Sequence, residues 1–96
     1  MPSYKFAASA EADIQDILDY SLPSWGRDRA LAYLADMQTL VASLAKSPKL
    51  GKSCSTLGTG LLAFPYRSHV LYYRSEPEGI IIVRILHQRM NPDLHF

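Results

Sequence analysis

The fold is decided by the stretch IIIVRILHQRM, residues 80–90, which is apolar at every one of its first seven positions except Arg84. Gly79 precedes this stretch and Asn91-Pro92 follows it, so the pattern predicts a β-strand buried on both faces. Strict alternation would place residues 81, 83, 85 and 87 on one face and residues 80, 82, 84 and 86 on the other. Such a strand must have other residues packed on both of its faces. We expect this chain to pack one face and a partner to pack the other.

Length and composition predict a single domain spanning residues 1–96. No apolar run is long enough to span a membrane, and the first residues lack the apolar segment of a secretory signal. The single cysteine, Cys54, cannot form an internal disulfide, which suits a reducing compartment. We therefore predict a cytoplasmic protein without a membrane partner.

The charge of the chain is small and unevenly distributed. The formal net charge is +1, which gives no general attraction for nucleic acid. Residues 1–48 hold four basic and six acidic side chains, whereas residues 49–96 hold six basic and three acidic ones. The predicted helical part is therefore mildly acidic and the predicted sheet mildly basic.

Two helices are predicted after a short first strand at residues 4–7. Ser9 is the expected N-cap of the first helix, and Pro23 is expected to end it because proline lacks an amide donor. The second helix is predicted over residues 27–46, where apolar residues recur every three or four positions. The short link around Trp25-Gly26 makes an antiparallel helical hairpin.

Three strands are predicted after the hairpin, at residues 61–64, 69–74 and 80–86. Turn residues separate them closely enough to form an antiparallel meander. The element order is then β-α-α-β-β-β. The fold class is α+β, with a helical hairpin packed on one face of a small antiparallel sheet.

Local motifs for cofactors or metals are weak. Gly51-Lys52-Ser53 resembles a phosphate-binding loop, but Lys46 stands where that motif needs its first glycine, and a helix leads into it instead of a strand. The histidines and Cys54 show no metal-ligand spacing. The carboxylates of the first helix, including Asp13, fit a solvated helix face. We expect no cofactor and no metal.

Six segments with a recognisable order and spacing run nearly from end to end of the chain. They are Ala10-x-x-Asp13-x-x-x-Ile17-x-x-Tyr20, Trp25-Gly26, Ala30-x-x-Tyr33, Ser47-Pro48-x-x-Gly51, Ser68-His69-Val70-x-Tyr72-Tyr73-Arg74 and Val83-Arg84-Ile85-Leu86-His87-Gln88-Arg89-Met90. Together these segments resemble the ParE branch of the ParE/RelE family of bacterial toxins. The resemblance implies the RelE/ParE-like fold and the toxin of a toxin–antitoxin pair. It further implies neutralisation by a ParD-like antitoxin and action on DNA gyrase, without sequence-specific nucleic-acid binding by the toxin alone.

Two sets of residues are candidates for partner contacts under this resemblance. The first follows the buried strand and combines cationic, imidazole and apolar groups, as protein-binding hot spots do. The second lies on the hairpin and the strand, where an antitoxin segment would need a groove. The predicted gyrase contacts are His87, Arg89, Met90, His95 and Phe96, and the predicted antitoxin contacts are Trp25, Tyr33, Met37 and Arg84.

An enzyme is the alternative, because RelE-like relatives cleave mRNA on the ribosome. That reaction needs a proton acceptor and a cation near the reacting phosphate. The loosely corresponding positions hold His69, Met90 and Phe96, and Phe96 cannot transfer a proton. A basic set remains at Arg67, Arg84, His87 and Arg89. A toxin-like domain that acts only as a binding module is a third interpretation.

Overall fold

The organising strand lies inside a five-stranded sheet. The computed structural model describes residues 3–96 of the chain. Its strands are β1 (Ser3–Phe6), β2 (Lys52–Ser53), β3 (Leu62–Tyr66), β4 (His69–Glu76) and β5 (Gly79–His87). Their spatial order is β1-β5-β4-β3-β2.

The predicted meander is confirmed, and the sheet as a whole is mixed. β4 pairs antiparallel with both β3 and β5, as the short turns between these strands require. β1 pairs parallel to β5, which differs from the purely antiparallel sheet that we expected. No hairpin links β1 to β5, because two helices and three strands lie between them in the chain, so a tight turn does not impose antiparallel pairing. The α+β fold class and the order β-α-α-β-β-β are confirmed, and the two-residue strand β2 is an addition between α2 and the meander.

The two helices are α1 (Ala8–Trp25) and α2 (Arg27–Lys46). The prediction that Pro23 ends α1 is wrong, because the helix continues to Trp25. Pro23 lies in the last turn, where a missing amide costs one hydrogen bond without stopping the next two residues. The break comes at Gly26, whose φ of +86° favours glycine, and this one residue links the helices.

The start of α1 is held by β5. Ser9 is not the N-cap that we expected: Ala7 occupies that position without a side-chain bond. Instead the Ser9 hydroxyl donates to the carbonyl of Val83 over 2.8 Å. β1 stops pairing at Ile82, so α1 runs along the part of the β5 edge that β1 leaves free. This placement brings α1 side chains to the end of β5.

A β-bulge in β5 overturns the predicted alternation of its side chains. Tyr73 pairs with Ile82 and Tyr72 with Arg84, which leaves Val83 as the extra residue. One extra residue shifts every later side chain to the opposite face. Accordingly, the strand residues in the main core under the helices are Ile80, Ile82 and Ile85, whereas Val83 and Leu86 pack on the far face.

The far face is covered by the chain itself, so the expectation that a partner must cover it is wrong. Leu61 is fully buried there against Tyr72 and Leu86, and Leu57 packs beside them. These leucines come from the segment between β2 and β3. Leu57 lies in a stretch whose glycine, serine, threonine and lysine content is typical of an exposed loop, whereas Leu61 was predicted as the first residue of a strand. The C-terminal tail adds Phe96, whose ring centroid lies 5.1 Å from that of Tyr72. Within residues 3–96, neither helix is long and apolar enough to cross a membrane.

Candidate functional site

A cavity of about 460 Å³ lies between α1 and the ends of β4 and β5. Its volume falls within the range typical of ligand pockets. From β4, β5 and the adjoining turns it receives Ser68, His69, Ile85, His87 and Met90. From α1 it receives Asp13, Asp16, Ile17, Tyr20, Ser21 and Trp25.

Asp13, which lines the cavity, forms an ion pair between α1 and β5 with Arg84. Both carboxylate oxygens of Asp13 accept hydrogen bonds from Arg84, each over 2.8 Å. One of these oxygens also accepts the backbone N–H of Ile85. The hydrogen bonds to Asp13 raise the pKa of Arg84, and burial opposes this effect. Arg84 further donates to the carbonyl of His95, so the pair ties the tail to the sheet.

Two histidines face each other at the cavity end of the sheet. His69 and His87 are register partners on β4 and β5, and their ring centroids lie 5.4 Å apart. Nδ1 of His87 accepts the backbone N–H of Arg89, and Nδ1 of His69 lies 2.6 Å from the hydroxyl of Tyr33. Burial lowers the pKa of His69, and the neighbouring His87 lowers it further. His69 is therefore neutral at pH 7.

Aromatic rings extend from the cavity across the hairpin. Trp25 lies between Tyr20 and Tyr33, with ring centroids 6.2 and 5.4 Å away. The Tyr66 hydroxyl donates to the Tyr33 carbonyl over 2.7 Å, which fixes the chain of rings to the sheet. Such pairs add stabilisation beyond their buried area. The rings form a rigid side to the cavity.

Ser21 brings a polar group without a partner to the cavity. It is 1% exposed, and its hydroxyl makes no hydrogen bond to any of the described residues. A buried hydroxyl without a partner costs about 1–3 kcal/mol. A native structure retains such a group where strain, solvent or function accounts for it.

Comparison with known proteins identifies the family. Residues 4–92 match the model of the ParE toxin of type II toxin-antitoxin system, parDE. The chain belongs to the ParE toxin family. The resemblance drawn from the sequence segments is thereby confirmed.

Curated relatives match almost the full length of this ParE chain. Toxin ParE1 of Mycobacterium tuberculosis is 36% identical over 91 residues, which cover 94% of this chain and 93% of that protein. Toxin ParE1 of Caulobacter vibrioides is 34% identical over 95 residues, covering 99% and 98%. A solved structure titled "Chromosomal ParDE TA system from P. aeruginosa" aligns with a TM-score of 0.75 at 24% identity, over 91% of this chain and 96% of that one. That alignment confirms the two-layer fold.

The predicted gyrase contacts of this ParE chain fall into two groups. His87 and Met90 line the cavity, Met90 being 48% exposed, and Arg89 stands exposed between them in sequence. His95 and Phe96 belong to the tail, and Phe96 packs against Tyr72 on the far face. The predicted gyrase contacts therefore do not form one continuous surface: His87 and Met90 lie at the cavity, and Phe96 lies on the far face of the sheet.

The predicted antitoxin contacts differ in accessibility. Trp25 is partly exposed at the cavity, whereas Tyr33 is buried beneath it and Met37 is only 2% exposed in the main core. Arg84 is neutralised by Asp13 of its own chain. Trp25 is thus the member of this set that a partner can reach directly in the conformation described.

Sequence reasoning missed Asp13 and Ser21. Asp13 was assigned to a solvated helix face, yet it is buried with Ala10 and Ile17. A signal was available, because residues 10, 13, 17 and 21 share the helical spacing of one face. An acidic residue on that face predicts a buried cationic partner, and Arg84 is the charge within the apolar strand. Nothing in the sequence indicates that the Ser21 hydroxyl lacks a partner.

Proposed function

We propose that this ParE chain inhibits DNA gyrase by binding it, and that a ParD-like antitoxin neutralises it. The match of residues 4–92 to the ParE toxin family carries this proposal. The ParDE title of the structural neighbour supports a ParD-like partner. The resemblance of the sequence segments to ParE supports gyrase as the target.

The proposed gyrase surface begins at the end of β5. The turn after the strand is held by hydrogen bonds from Gln88 N–H to the Ser68 carbonyl and from Met90 N–H to the His87 carbonyl. This rigid turn presents Met90 and the guanidinium of Arg89, which forms no ion pair with any described residue. A cation next to an apolar side chain on a fixed turn is typical of a binding hot spot. His95 and Phe96 form the second part of the proposed surface, beside Tyr72.

The positions of the basic side chains favour binding over RNA cleavage. Arg84 is engaged by Asp13, and Arg67 forms a 2.8 Å ion pair with Asp36 and stacks on Tyr66. Both guanidinium groups are therefore paired within their own chain, Arg84 partly buried and Arg67 at the exposed surface. Phe96 stands at one of the positions that loosely correspond to those of the RelE-like nucleases, and its side chain cannot transfer a proton. The proposed mechanism needs no cofactor and no metal.

The proposed antitoxin interface includes Trp25 and Arg84, with Tyr33 and Met37 as the packing beneath it. Trp25 offers an accessible ring to an antitoxin side chain. Tyr33 supports this ring at a centroid distance of 5.4 Å, and Met37 belongs to the same core cluster. A substitution of either buried residue should therefore affect antitoxin binding indirectly, through the position of Trp25.

Two parallel assays on the purified chain test the proposed function: gyrase supercoiling and ribosome-dependent mRNA cleavage. We expect inhibition of supercoiling and no cleavage. Arg89→Ala should weaken inhibition about thirtyfold, since a hot-spot arginine contributes about 2 kcal/mol or more. A chain ending at Met90 tests the contribution of the tail. Lys52→Ala is the matched control, because β2 lies at the opposite edge of the sheet.

The outcomes separate the alternatives. Circular dichroism must first establish that each variant folds, because truncation removes the contacts of His95 and Phe96 with the sheet. Cleavage of mRNA without gyrase inhibition would replace the proposal with the nuclease alternative. If Arg89→Ala and the truncated chain both inhibit supercoiling as well as the parent does, the toxic surface lies elsewhere.

A further inference from the structure

The cavity beside α1 combines negative charge, aromatic rings and an unpartnered hydroxyl. Asp13 uses both oxygens within the chain, so the carboxylate available to a ligand is that of Asp16. Asp16 is exposed and forms no ion pair with any residue in the described range 3–96. Ser21 contributes a buried oxygen that can accept or donate a hydrogen bond. These groups suit a ligand that carries a positive charge and several N–H donors.

The walls of the cavity suit an apolar stem that leads to such a charge. Ile17, Ile85 and Met90 line it together with the ring of Tyr20. Tyr20 is 65% exposed, so its ring is open to a planar cation. Trp25 already has the guanidinium of Arg29 at 5.6 Å from its ring centroid, which demonstrates this kind of stacking within the same chain.

The arginines near the cavity already have partners within the chain. Arg84 is bound to Asp13, and Arg29 lies over Trp25. The imidazole of His69 is neutral at pH 7 because burial lowers its pKa, so it does not repel a cation. Asp16 forms no ion pair with these neighbours, and only the more distant attraction between its charge and that of Arg84 acts on it.

We propose that the cavity lined by Asp16, Tyr20 and Ser21 is a recognition pocket for an arginine side chain of the partner protein. The aliphatic stem packs against Ile17 and Met90, and the guanidinium lies between the Asp16 carboxylate, the Tyr20 ring and the Ser21 hydroxyl. Arginine fits better than lysine, because a planar group with five donors can stack and form several hydrogen bonds at once. The inference rests on the proposed antitoxin as the source of this arginine.

Occupation of the pocket would also explain neutralisation. His87 and Met90 line the pocket and belong to the proposed gyrase surface. An arginine seated against Met90 would bring the antitoxin chain over this surface. Antitoxin and gyrase would then compete for the same end of the sheet, and the arginine would be the anchor that sets the position of the antitoxin.

The single tryptophan of the chain, Trp25, provides a direct test because it lines the pocket. The probes are the capped amino acids N-acetyl-arginine amide, N-acetyl-citrulline amide and N-acetyl-leucine amide, titrated while Trp25 fluorescence is recorded. Citrulline has the shape of arginine without its charge. We expect arginine amide to bind at least about tenfold more tightly than citrulline amide, since charge-assisted hydrogen bonds are the stronger ones. Added salt should reduce the difference, because the Asp16 carboxylate is exposed.

Two variants locate the binding. Asp16→Asn should weaken arginine amide binding about fivefold, and Ser21→Ala about threefold. Glu11→Gln is the matched control, because it removes the same charge from an exposed position of α1 outside the cavity and should leave binding unchanged. Circular dichroism checks that the variants fold; Asp16 is exposed, so its substitution leaves the core intact.

Equal binding of arginine and citrulline amides would overturn the proposal, and tighter binding of leucine amide would replace it with an apolar anchor. An unchanged affinity in both Asp16→Asn and Ser21→Ala would place the arginine elsewhere. The titration uses neither gyrase nor antitoxin, so its failure leaves the proposed function intact. Conversely, a chain that fails the supercoiling assay can still bind arginine amide, which distinguishes the two failures.

Discussion

The two halves of β5 are held by different kinds of partner. Residues 79–82 pair with the backbone of β1, whereas the edge beyond Ile82 is completed by side chains of α1. Ser9 reaches the Val83 carbonyl and Asp13 reaches the Ile85 amide. Backbone pairing needs no particular side chain, but side-chain pairing brings polar and charged groups to the edge. The candidate site lies beside the part of β5 that β1 does not pair with, while β4 stays paired with β5 up to His87.

The first half of β5 contributes mainly to stability, whereas the second half lies beside the groups that can bind a ligand. In the first half, apolar Ile80 and Ile82 are buried between regular hydrogen bonds. In the second half, the Asp13–Arg84 pair neutralises charge locally while Ser21 remains without a partner. Where all polar groups of an edge already form hydrogen bonds, few remain for a ligand. Beside the second half, the Ser21 hydroxyl has no hydrogen-bond partner among the described residues and can bind a ligand.

Among the substitutions considered, that of Asp13, which holds the second half of β5, should lower the free energy of unfolding the most. Asp13→Ala removes the counter-charge of Arg84 and the acceptor of the Ile85 amide together. Because Asp13 is buried and Arg84 is partly exposed, we expect the free energy of unfolding to fall by about 2–4 kcal/mol. Urea unfolding followed by circular dichroism measures this loss. Asp16→Ala, on an exposed position of the same helix, should change the free energy by less than about 0.5 kcal/mol. Similar losses in the two variants would contradict the role given to Asp13.

Substitution of Gly79 should have a smaller effect, confined to the first half. A Cβ atom at this position would collide with the Ser3 carbonyl, so Gly79→Ala must push β1 away from β5. We expect a loss of about 1–3 kcal/mol in the free energy of unfolding. Hydrogen exchange provides the local measurement: the amides of β1 should lose protection while the Ile85 amide keeps it. A uniform loss along β5 would show that the two halves do not respond separately.

The sequence predicted the layers of this fold better than the detail of its central strand. The apolar run of residues 80–86, the helical spacing of α2 and the turn residues were sufficient for the β-α-α-β-β-β order. The bulge at Val83 was not predictable, because it depends on how β5 registers with β4 and not on local preference. The cover of the far face was missed because Leu57 lies in residues 49–60, whose glycine, serine, threonine and lysine content is typical of an exposed loop. Leu61 was predicted as the first residue of a strand, and its burial on this face did not follow from that prediction.

The site was less predictable than the fold for a related reason. His87 and Met90 were selected from their position after a buried strand, and the structure places both in the cavity. The partners that complete the cavity come from α1, more than 60 residues earlier in the chain. Their contacts depend on where α1 crosses the β5 edge, which local periodicity does not specify. The burial of Met37 likewise follows from the angle of the hairpin on the sheet.

The smallest expected effect is a pH dependence of the free energy of unfolding that arises at His69, the β4 residue paired with His87 at the end of the second half of β5. The pKa of His69 is lowered by burial and by His87, while Asp13 opposes the shift, so the unfolded chain takes up a proton at a higher pH than the folded chain does. The free energy of unfolding should therefore be highest above the ordinary histidine pKa of about 6.5 and decline as the pH falls below it. His69→Asn keeps a polar atom near the Tyr33 hydroxyl without a titrating imidazole. Urea unfolding between pH 7.5 and 5.5 should give a shallower decline for His69→Asn than for the parent, and equal declines would show that His69 does not carry the dependence.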